Sequence, residues 1–497
     1  MISNQLPALQ VVVPLIAAAF CLVLARPLGA WLITFAASAA SMTVSFLMLT
    51  TVMESGVIDY AFGGWAAPFG IAYRVDLVNA YVLMIVSTIS TVVSVFARAS
   101  VASEIETHNQ GFFYTAWLLC LTGLLGITIT GDAFNLFVFL EISSLSSYAL
   151  IAMGADRRAL TAAYQYLIMG TIGATFILIG VGLLYALTGT LNMLDLAQRL
   201  PDVANTRTAR TGFAFLTVGL GLKIALFPLH LWLPNAYAYA PSAVSAFLAA
   251  TATKVAVYVL LRFVFSVFGV EFALGAMPLA LGLAILGSVA VLSASTIAIF
   301  QQNLKRMLAY SSVAQIGYLA LGVSLATPAG LTATLLHLFN HALMKGALFV
   351  ALGCIAWRIG SSRLQDFAGL GYRMPWTMGA FVVGGLSLIG IPLTAGFISK
   401  WHLILAALEK GWWPITVVII AGSLLAVIYI WRVVERAYLA KPPAETSRGE
   451  APASMLIPAW LLAIANLYFG SHTDLSVGIA ARAATSLFGA TLWLNPL

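Results

Sequence analysis

Apolar stretches of about 20 residues recur along the whole chain, separated by short polar connections. A helix needs roughly 20 apolar residues to cross a bilayer, and on that measure the sequence predicts fourteen spans. Their approximate centres are residues 15, 41, 85, 121, 142, 173, 223, 253, 287, 315, 343, 388, 424 and 461. The amphipathic segment 471–497 is short and is expected to lie on the membrane surface. The predicted fold is an all-α polytopic membrane protein.

Composition narrows the class of protein further. Of the 497 residues, 61% are hydrophobic and 8% are charged, whereas soluble domains carry roughly 25% charged residues. The start of the chain has no basic region before its first apolar stretch, so we expect a retained span there rather than a signal peptide. The sequence contains no nucleotide-binding loop, cysteine cluster or haem motif. The chain therefore has no visible source of redox or ATP energy, and we predict no cofactor and no metal.

Lysine and arginine predict the orientation of the chain. Thirteen of them fall in the loops that follow odd-numbered spans, and seven fall in the loops after even-numbered spans or in the tail. Because positive loops stay in the cytoplasm, both termini should face outward. The net charge of +7 is then explained by topology and by contact with anionic lipid, and no nucleic-acid partner is predicted.

Two of the predicted spans carry prolines near their middle. The seventh contains Pro228 and Pro234, and the twelfth contains Pro392. Proline removes a helical hydrogen bond, and inside a bilayer the freed carbonyl groups must face protein or water. We predict that these prolines are hinges in two broken helices, although a single proline in a membrane helix is usually only a kink.

The breaks lie five spans apart, and a second internal match has the same period. Residues 164–170 of the sixth span resemble residues 340–346 of the eleventh. Because five is an odd number, the repeating units would have inverted orientations, and such repeats with broken helices indicate an ion site near the midplane. The predicted division is spans 1–3 (1–110), a first five-helix repeat of helices 4–8 (111–268), a second, inverted repeat of helices 9–13 (269–440), and helix 14 with the tail (441–497).

Five ionisable side chains lie inside otherwise apolar stretches: Glu141, Lys223, Lys254, Lys345 and Lys400. A charged group at the bilayer centre costs at least ~3 kcal/mol on insertion scales, so it is rare there without a function. Apolar surroundings disfavour a charged lysine and a nearby carboxylate favours it. A Glu141–Lys223 pair that can separate would therefore act as a proton switch. The alternative is a static ion pair that fixes helix packing.

The eleventh span carries a row of titratable groups. His337, His341 and Lys345 are spaced four residues apart, which places them on one helix face at intervals of ~5–6 Å. The row covers ~12 Å of helix axis and could conduct protons through intervening water. The alternative is that the histidines serve as hydrogen-bond donors between helices.

Three further groups lie near the predicted breaks or span ends. His230 follows Pro228 and could link the two halves of the chain, although a purely structural role is equally compatible. Lys400 lies just past the second break and is a candidate terminal group of the route, with a snorkelling lysine as the alternative. Arg262 ends the eighth span and is expected to anchor lipid headgroups.

The segments around these residues resemble a known family. They are 140–142, 223–234, 240–248, 253–258, 303–312 and 390–400. The chain resembles the large proton-pumping subunits shared by respiratory complex I and the multisubunit Mrp cation/proton antiporters. Within that family it is most similar to the D-type Mrp subunit, because the eighth span reads Thr-Lys-Val-Ala-Val-Tyr and the twelfth carries lysine where some complex I members carry glutamate.

The resemblance implies fourteen helices and a proton route from Glu141 through Lys223 and Lys254, continuing along the eleventh helix to Lys400. It also implies partner subunits, a bacterial inner membrane, and exchange of protons for a monovalent cation such as Na⁺. One departure is visible, since the family commonly has two prolines at the second break and this chain has only Pro392. Two rival functions are the same pump module in a complex I-like or hydrogenase-linked assembly, and a solitary carrier of an organic solute.

Overall fold

The computed structural model describes residues 5–24, 26–442 and 449–489, and these ranges are almost entirely helical. The first half contains α1 (Leu6–Leu24), α2 (Pro27–Ser55), α3 (Leu77–Glu104), α4 (Gln110–Ile129), α5 (Ala133–Ala152), α6 (Arg158–Thr188), α7 (Met193–Val203), α8 (Arg207–Ile224), α9 (Trp232–Tyr239), α10 (Ser242–Ala250) and α11 (Ala252–Leu261). Two strands, β1 (Ile58–Ala61) and β2 (Ala72–Val75), pair antiparallel between α2 and α3.

The second half begins after two π-helical turns, Arg262–Val267 and Glu271–Ala276. It contains α12 (Leu279–Ile299), α13 (Leu304–Ser324), α14 (Pro328–Ile359), α15 (Leu370–Arg373), α16 (Pro375–Ile389), α17 (Ala395–Glu409), α18 (Trp413–Tyr438), α19 (Ala453–Ser471) and α20 (Asp474–Gly489). Helix α20 covers most of the predicted amphipathic tail, and residues 490–497 of that tail lie outside the described residues.

Twelve helical stretches in the described ranges are long and apolar enough to cross a membrane. They correspond to twelve of the fourteen predicted spans, and the other two are the seventh and twelfth, which the structure splits into α8 with α9 and α16 with α17. The prediction of an all-α polytopic membrane protein is confirmed. The inverted five-helix repeats and the four-part division of the chain remain predictions.

Three loops that follow even-numbered spans meet at one end of the bundle, and two loops that follow odd-numbered spans meet at the opposite end. The hairpin after the second span pairs with the loop after the fourth through Tyr73 and Thr130, and that loop pairs with the one after the sixth through Asp132 and Asn192. At the opposite end, the Ser242 amide donates to the Glu104 carboxylate at 2.9 Å and joins the loops after the seventh and third spans. These contacts place the loops after the second, fourth and sixth spans at one end and those after the third and seventh spans at the other, whereas the predicted orientation of the termini remains a prediction.

Glycines allow the closest helix contacts. A Cβ on Gly219 of α8 would lie 2.6 Å from the carbonyl oxygen of Gly173 on α6, and a Cβ on Gly287 of α12 would lie 2.9 Å from that of Gly317 on α13. In lipid, helices associate mainly through such close packing, because apolar side chains gain little by leaving a hydrocarbon solvent. These pairs bring the main chains of α6 and α8, and those of α12 and α13, close together.

Both predicted breaks contain a residue in the left-handed region that is not glycine. In the first, Ala225 follows the last residue of α8 with φ of 62°, and in the second, Leu393 precedes α17 with φ of 70°. Such conformations cost of the order of 1–3 kcal/mol and cluster at functional sites. Pro228 and Pro392 lie within these breaks, whereas Pro234 lies in the first turn of α9, where proline is tolerated.

A third break was not predicted from the sequence. The eighth span is interrupted at Thr251, between α10 and α11, where φ is −125° and ψ is −59°. The local sequence Ala-Ala-Thr-Ala-Thr-Lys contains neither proline nor glycine, so nothing in it marks the interruption. The break matters because it lies three residues before Lys254.

Candidate functional site

Glu141 and Lys223 meet between α5 and α8. The Lys223 Nζ atom lies 3.4 Å from Glu141 Oε1 and donates to Ser144 Oγ at 2.9 Å. The side chain of Lys223 is 5% exposed and that of Glu141 is 25% exposed. Ser144 is one helical turn after Glu141, so α5 presents both groups to the lysine. The contact to Glu141 is longer than a tight ion pair, which leaves the ammonium group shared between a carboxylate and a hydroxyl.

Lys254 is fully buried at the start of α11. Its Nζ atom donates to the main-chain oxygen of Ala249, in the last turn of α10, and lies 3.4 Å from Thr253 Oγ1. The last carbonyl groups of a helix have no intrahelical partner and carry partial negative charge. The unpredicted break at Thr251 therefore provides an acceptor for a lysine that has no carboxylate beside it among the described residues.

The row on the eleventh span is intact in α14. The rings of His337 and His341 are nearly parallel, 13° apart, with centroids 6.0 Å from each other. Lys345 continues the row and donates to the Leu308 main-chain oxygen at 2.8 Å and to the Ser311 hydroxyl, both on α13. All three side chains are at most 1% exposed, so the row runs through the interior of the protein.

The two histidines differ in their partners. His337 Nδ1 forms a hydrogen bond with Ser399 Oγ at 2.9 Å. His341 has no protein hydrogen-bond partner on either ring nitrogen among the described residues, nor has His337 on Nε2. A buried polar atom left unpaired costs about 1–3 kcal/mol, and buried water commonly satisfies such atoms. Among the described residues, therefore, no hydrogen bond from the His341 ring links α14 to another helix.

Lys400 lies at the second predicted break. Its Nζ atom donates to the main-chain oxygens of Leu388 and Ile389, at 3.0 and 2.9 Å, and to Ser423 Oγ at 3.0 Å. The same atom lies 4.9 Å from the centre of the Tyr318 ring, within the range of a cation–π contact. Lys400 is only 4% exposed and points at the end of α16, so the snorkelling alternative is wrong.

His230 lies in the first break but contacts neither predicted lysine through a described hydrogen bond. Its ring stacks on Phe227, with centroids 5.1 Å apart, and lies 6.3 Å from the ring of Tyr310 on α13. The residue is buried and its Nδ1 atom has no protein partner in the described part of the chain. It thus lies between the first break and α13, and no described hydrogen bond joins it to the Glu141–Lys223 pair.

Seven of the eight predicted relay residues fall into two groups, and His230 belongs to neither. Glu141 and Lys223 form one pair, whereas Lys254 is close enough to His341 and Lys345 for electrostatic interaction, and His337 is close enough to Lys400. The second group, hereafter the α14 cluster, consists of Lys254, His337, His341, Lys345 and Lys400. Within the described residues, no hydrogen bond joins Lys223 to Lys254.

Several partners in the site were not predicted from the sequence. They are four serines and one tyrosine: Ser144, Ser311, Ser399, Ser423 and Tyr318. Serine in an apolar span often donates to its own helix, as Ser147 does to the Ser143 oxygen at 2.7 Å. Two of the site serines, Ser311 and Ser399, do the same. The sequence alone therefore does not distinguish a serine that hydrogen-bonds to a group of the site from one that hydrogen-bonds only to its own helix.

Two basic residues that the sequence placed at the membrane surface are interior. Arg262 was expected to anchor lipid headgroups, but its Nη2 atom lies 2.6 Å from Asp76 Oδ1 in a pair that is 12% and 15% exposed. Lys305, counted as a loop charge, is buried at the start of α13 and donates to the Ala240 oxygen at 3.0 Å. Lys305 was counted in a loop after an odd-numbered span and Arg262 in a loop after an even-numbered span. Leaving both out keeps the excess of basic residues in the odd-numbered loops, so the predicted orientation is unchanged.

These features define a class of protein: a multi-pass helical membrane protein with a buried row of titratable groups beside helix breaks. A family model described as NADH:quinone oxidoreductase/Mrp antiporter, transmembrane, matches residues 130–427. The chain belongs to this family, which confirms the resemblance inferred from its motifs.

Relatives of two kinds match nearly the whole chain. The N subunit of the NADH-quinone oxidoreductase of Desulforudis audaxviator is 42% identical over 95% of this chain and 97% of the relative. The D subunit of the Na(+)/H(+) antiporter of Bacillus subtilis is 29% identical over 99% and 98%, respectively. Among solved structures, a chain of the Mrp complex from Dietzia sp. DQ12-45-1b superimposes with a TM-score of 0.90 at 27% identity, covering 99% of both chains.

Proposed function

We propose that this chain is the proton-translocating membrane subunit of a multisubunit antiporter that exchanges protons for a monovalent cation such as Na⁺. The single observation that carries the proposal is the α14 cluster, in which five titratable side chains are at most 4% exposed and three of them form a row along α14. Charge so deep in a membrane protein is costly and typically marks an ion or proton pathway. The names of the Bacillus subtilis relative and the Dietzia complex support the same function.

The ends of the broken helices would allow Lys254 and Lys400 to take up and release protons. Lys254 and Lys400 each donate to a carbonyl group at the end of a broken helix, where the partial negative charge favours the protonated amine. A small movement of the break changes that stabilisation, so the lysine can take up a proton in one position and release it in another. His337 and His341 lie between the two lysines and can pass the proton through water.

The Glu141–Lys223 pair would then control the first half of the route. Lys223 has a second partner in Ser144, so its ammonium group can leave the carboxylate without losing every hydrogen bond. Separation of the pair would change the charge at the first break, beside Ala225 and Pro228, and couple proton position to the geometry of the hinge. His230 would serve as the contact between this break and α13.

Partners and location are part of the proposal. The Dietzia neighbour is a chain of a multisubunit complex, and we expect this chain to assemble with other antiporter subunits in a bacterial inner membrane. Loops of odd-numbered spans would face the cytoplasm and both termini the outer face, as the basic residues predict. Lipid would cover the apolar exterior, where exposed residues include Leu15, Phe20 and Leu424.

The decisive experiment replaces Lys254 in the intact complex. In everted vesicles, Lys254→Ala should abolish cation/proton exchange while the complex still assembles, because the substitution removes the buried amine beside the third break. Lys410→Ala is the matched control, since Lys410 also donates to a main-chain oxygen, that of Leu325, but lies outside the α14 cluster. Wild-type exchange by the Lys254 variant would refute the proposal.

A second candidate function is the same pump module in a redox-driven complex. The observation that favours it is the 42% identity to the N subunit of the NADH-quinone oxidoreductase of Desulforudis audaxviator. Purifying the tagged chain with its partners separates the two functions. Small antiporter subunits would support the first, whereas subunits carrying iron–sulfur clusters or flavin would support the second.

A further inference from the structure

A large cavity opens at the end of the bundle where the even-numbered loops meet. Its volume is about 1280 Å³, and it lies between the β-hairpin, the start of α7 and helix α20. Two ion pairs line it: Arg74 with Asp59 at 2.9 Å, and Arg262 with Asp76 at 2.6 Å. The Arg74 pair is exposed, but the Arg262 pair lies deeper, at 12% and 15% exposure.

The Asp76–Arg262 pair contacts a buried tyrosine, Tyr258. Arg262 Nε donates to the hydroxyl oxygen of Tyr258 at 3.1 Å, and Asn79 Nδ2 donates to the same oxygen at 2.8 Å. The Tyr258 hydroxyl in turn donates to the Thr128 main-chain oxygen at 2.9 Å. Tyr258 is 1% exposed, so this hydroxyl group sits directly behind the ion pair when viewed from the cavity.

The same helix leads from this tyrosine to the relay. Lys254, Tyr258 and Arg262 are spaced four residues apart, and residues at this spacing share one helix face. Three polar groups thus follow that face from the α14 cluster to the cavity, over ~12 Å of helix axis. The backbone changes to a π-helical turn at Arg262, a feature often found at functional sites.

We propose that Tyr258 and the Asp76–Arg262 pair form the access end of the proton relay and connect Lys254 to this cavity. With the pair closed, Arg262 and Asn79 hold the Tyr258 hydroxyl group against Thr128 and separate the cavity from Lys254. With the pair open, water reaches the hydroxyl group, and a proton passes between that group and the lysine through further water along this face of α11, since the Lys254 Nζ atom itself donates to the Ala249 oxygen. This inference rests on the proposed function, because it supplies a route to the same lysine.

Tyr258→Phe tests the hydroxyl group while keeping the shape of the side chain. In the intact complex in vesicles, we expect proton flux to fall by about tenfold or more, which corresponds to ~1.4 kcal/mol on the barrier. Tyr114→Phe is the matched control, since Tyr114 is similarly buried beside Phe113 in α4, and its flux should stay at the wild-type rate. Arg262→Gln should also reduce coupled exchange, and Arg262→Lys should retain part of it.

Labelling of cysteine tests the barrier without relying on transport. The three native cysteines are buried, so Ser266→Cys on the cavity wall and Thr128→Cys behind the tyrosine can be probed with a charged, impermeant thiol reagent. We expect Ser266→Cys to react from one face only, and Thr128→Cys to react slowly unless Arg262→Gln is also present. Equal labelling of Thr128→Cys with and without Arg262→Gln would show that the Asp76–Arg262 pair does not separate the cavity from Lys254, and would overturn the proposal.

These experiments distinguish an error in the access route from an error in the proposed function. If Lys254→Ala is inactive while Tyr258→Phe and Arg262→Gln transport at the wild-type rate, the access route is wrong and the proposed function stands. If Lys254→Ala itself retains full exchange, the proposed function is wrong, whatever the labelling shows.

Discussion

The ammonium nitrogen of Lys400 donates to the main-chain oxygen of Ile389 at 2.9 Å, and Ile389 is the last residue of α16. Lys254 makes the corresponding contact with Ala249 in the last turn of α10. Neither lysine forms an ion pair with a carboxylate within the described ranges. The carbonyl groups at the end of a helix carry partial negative charge, which favours a protonated amine beside them. A change of backbone conformation at the break would move these carbonyl groups relative to the lysine, so at both positions a hinge could control the protonation of a buried amine.

Gly390 tests how tightly the second hinge is coupled to Lys400. Its φ is 90°, and a Cβ there would lie 3.1 Å from Lys400 Cδ. We expect Gly390→Ala to reduce exchange strongly, because the methyl group strains the turn and displaces the lysine. Gly411→Ala is the control, since Gly411 has φ of 75° but nothing within 4 Å of the added atom. Equal loss of exchange in both variants would mean that backbone strain alone explains the effect.

Lys400→Arg separates a structural charge from a proton carrier. Arginine keeps the positive charge but does not release its proton in proteins. We expect the variant to assemble and yet to lose exchange, measured as cation-dependent proton movement in everted vesicles. If Lys400→Arg exchanges at the wild-type rate, Lys400 serves only to hold the end of α16.

The sequence predicts the helices well because membrane spans leave a strong signal in hydropathy. It also identifies Lys254, His341 and the other buried titratable groups, since charge is conspicuous in an apolar stretch. It does not predict the third break, because Thr251 stands in a run of residues compatible with an unbroken helix. Arg262 was misjudged for a different reason. Its position near a span end suits a lipid anchor, and its partner Asp76 is 186 residues away in the chain.

Glu141→Gln tests the pair in the first half of the chain. Glutamine removes the negative charge, while Lys223 keeps its 2.9 Å hydrogen bond to Ser144, so the fold should persist. We expect exchange to be lost in Glu141→Gln and partly kept in Glu141→Asp, whose shorter side chain lengthens a contact that is already 3.4 Å. Full exchange by the glutamine variant would remove Glu141 from the relay.

His341→Ala tests whether the middle of the α14 row carries protons or packs helices. Neither ring nitrogen of His341 bonds to a protein atom among the described residues, so its removal should cost little through hydrogen bonding. We expect proton flux to fall more than the amount of assembled complex, with flux measured in vesicles and assembly by quantifying the purified complex.

The volume of the ring must be controlled in this test. A buried large-to-small substitution destabilises by roughly 2–5 kcal/mol through the cavity it leaves, and this loss would lower assembly without any change in the relay. His341→Leu fills most of the space without a titratable group, so it should assemble normally and still conduct slowly. Ser399→Ala adds a contrast, since it removes the hydrogen bond that orients His337 but leaves all three titratable groups of the row in place. Losses of flux that match the losses of assembly in both His341 variants would show that the histidine packs helices and that protons cross by another path.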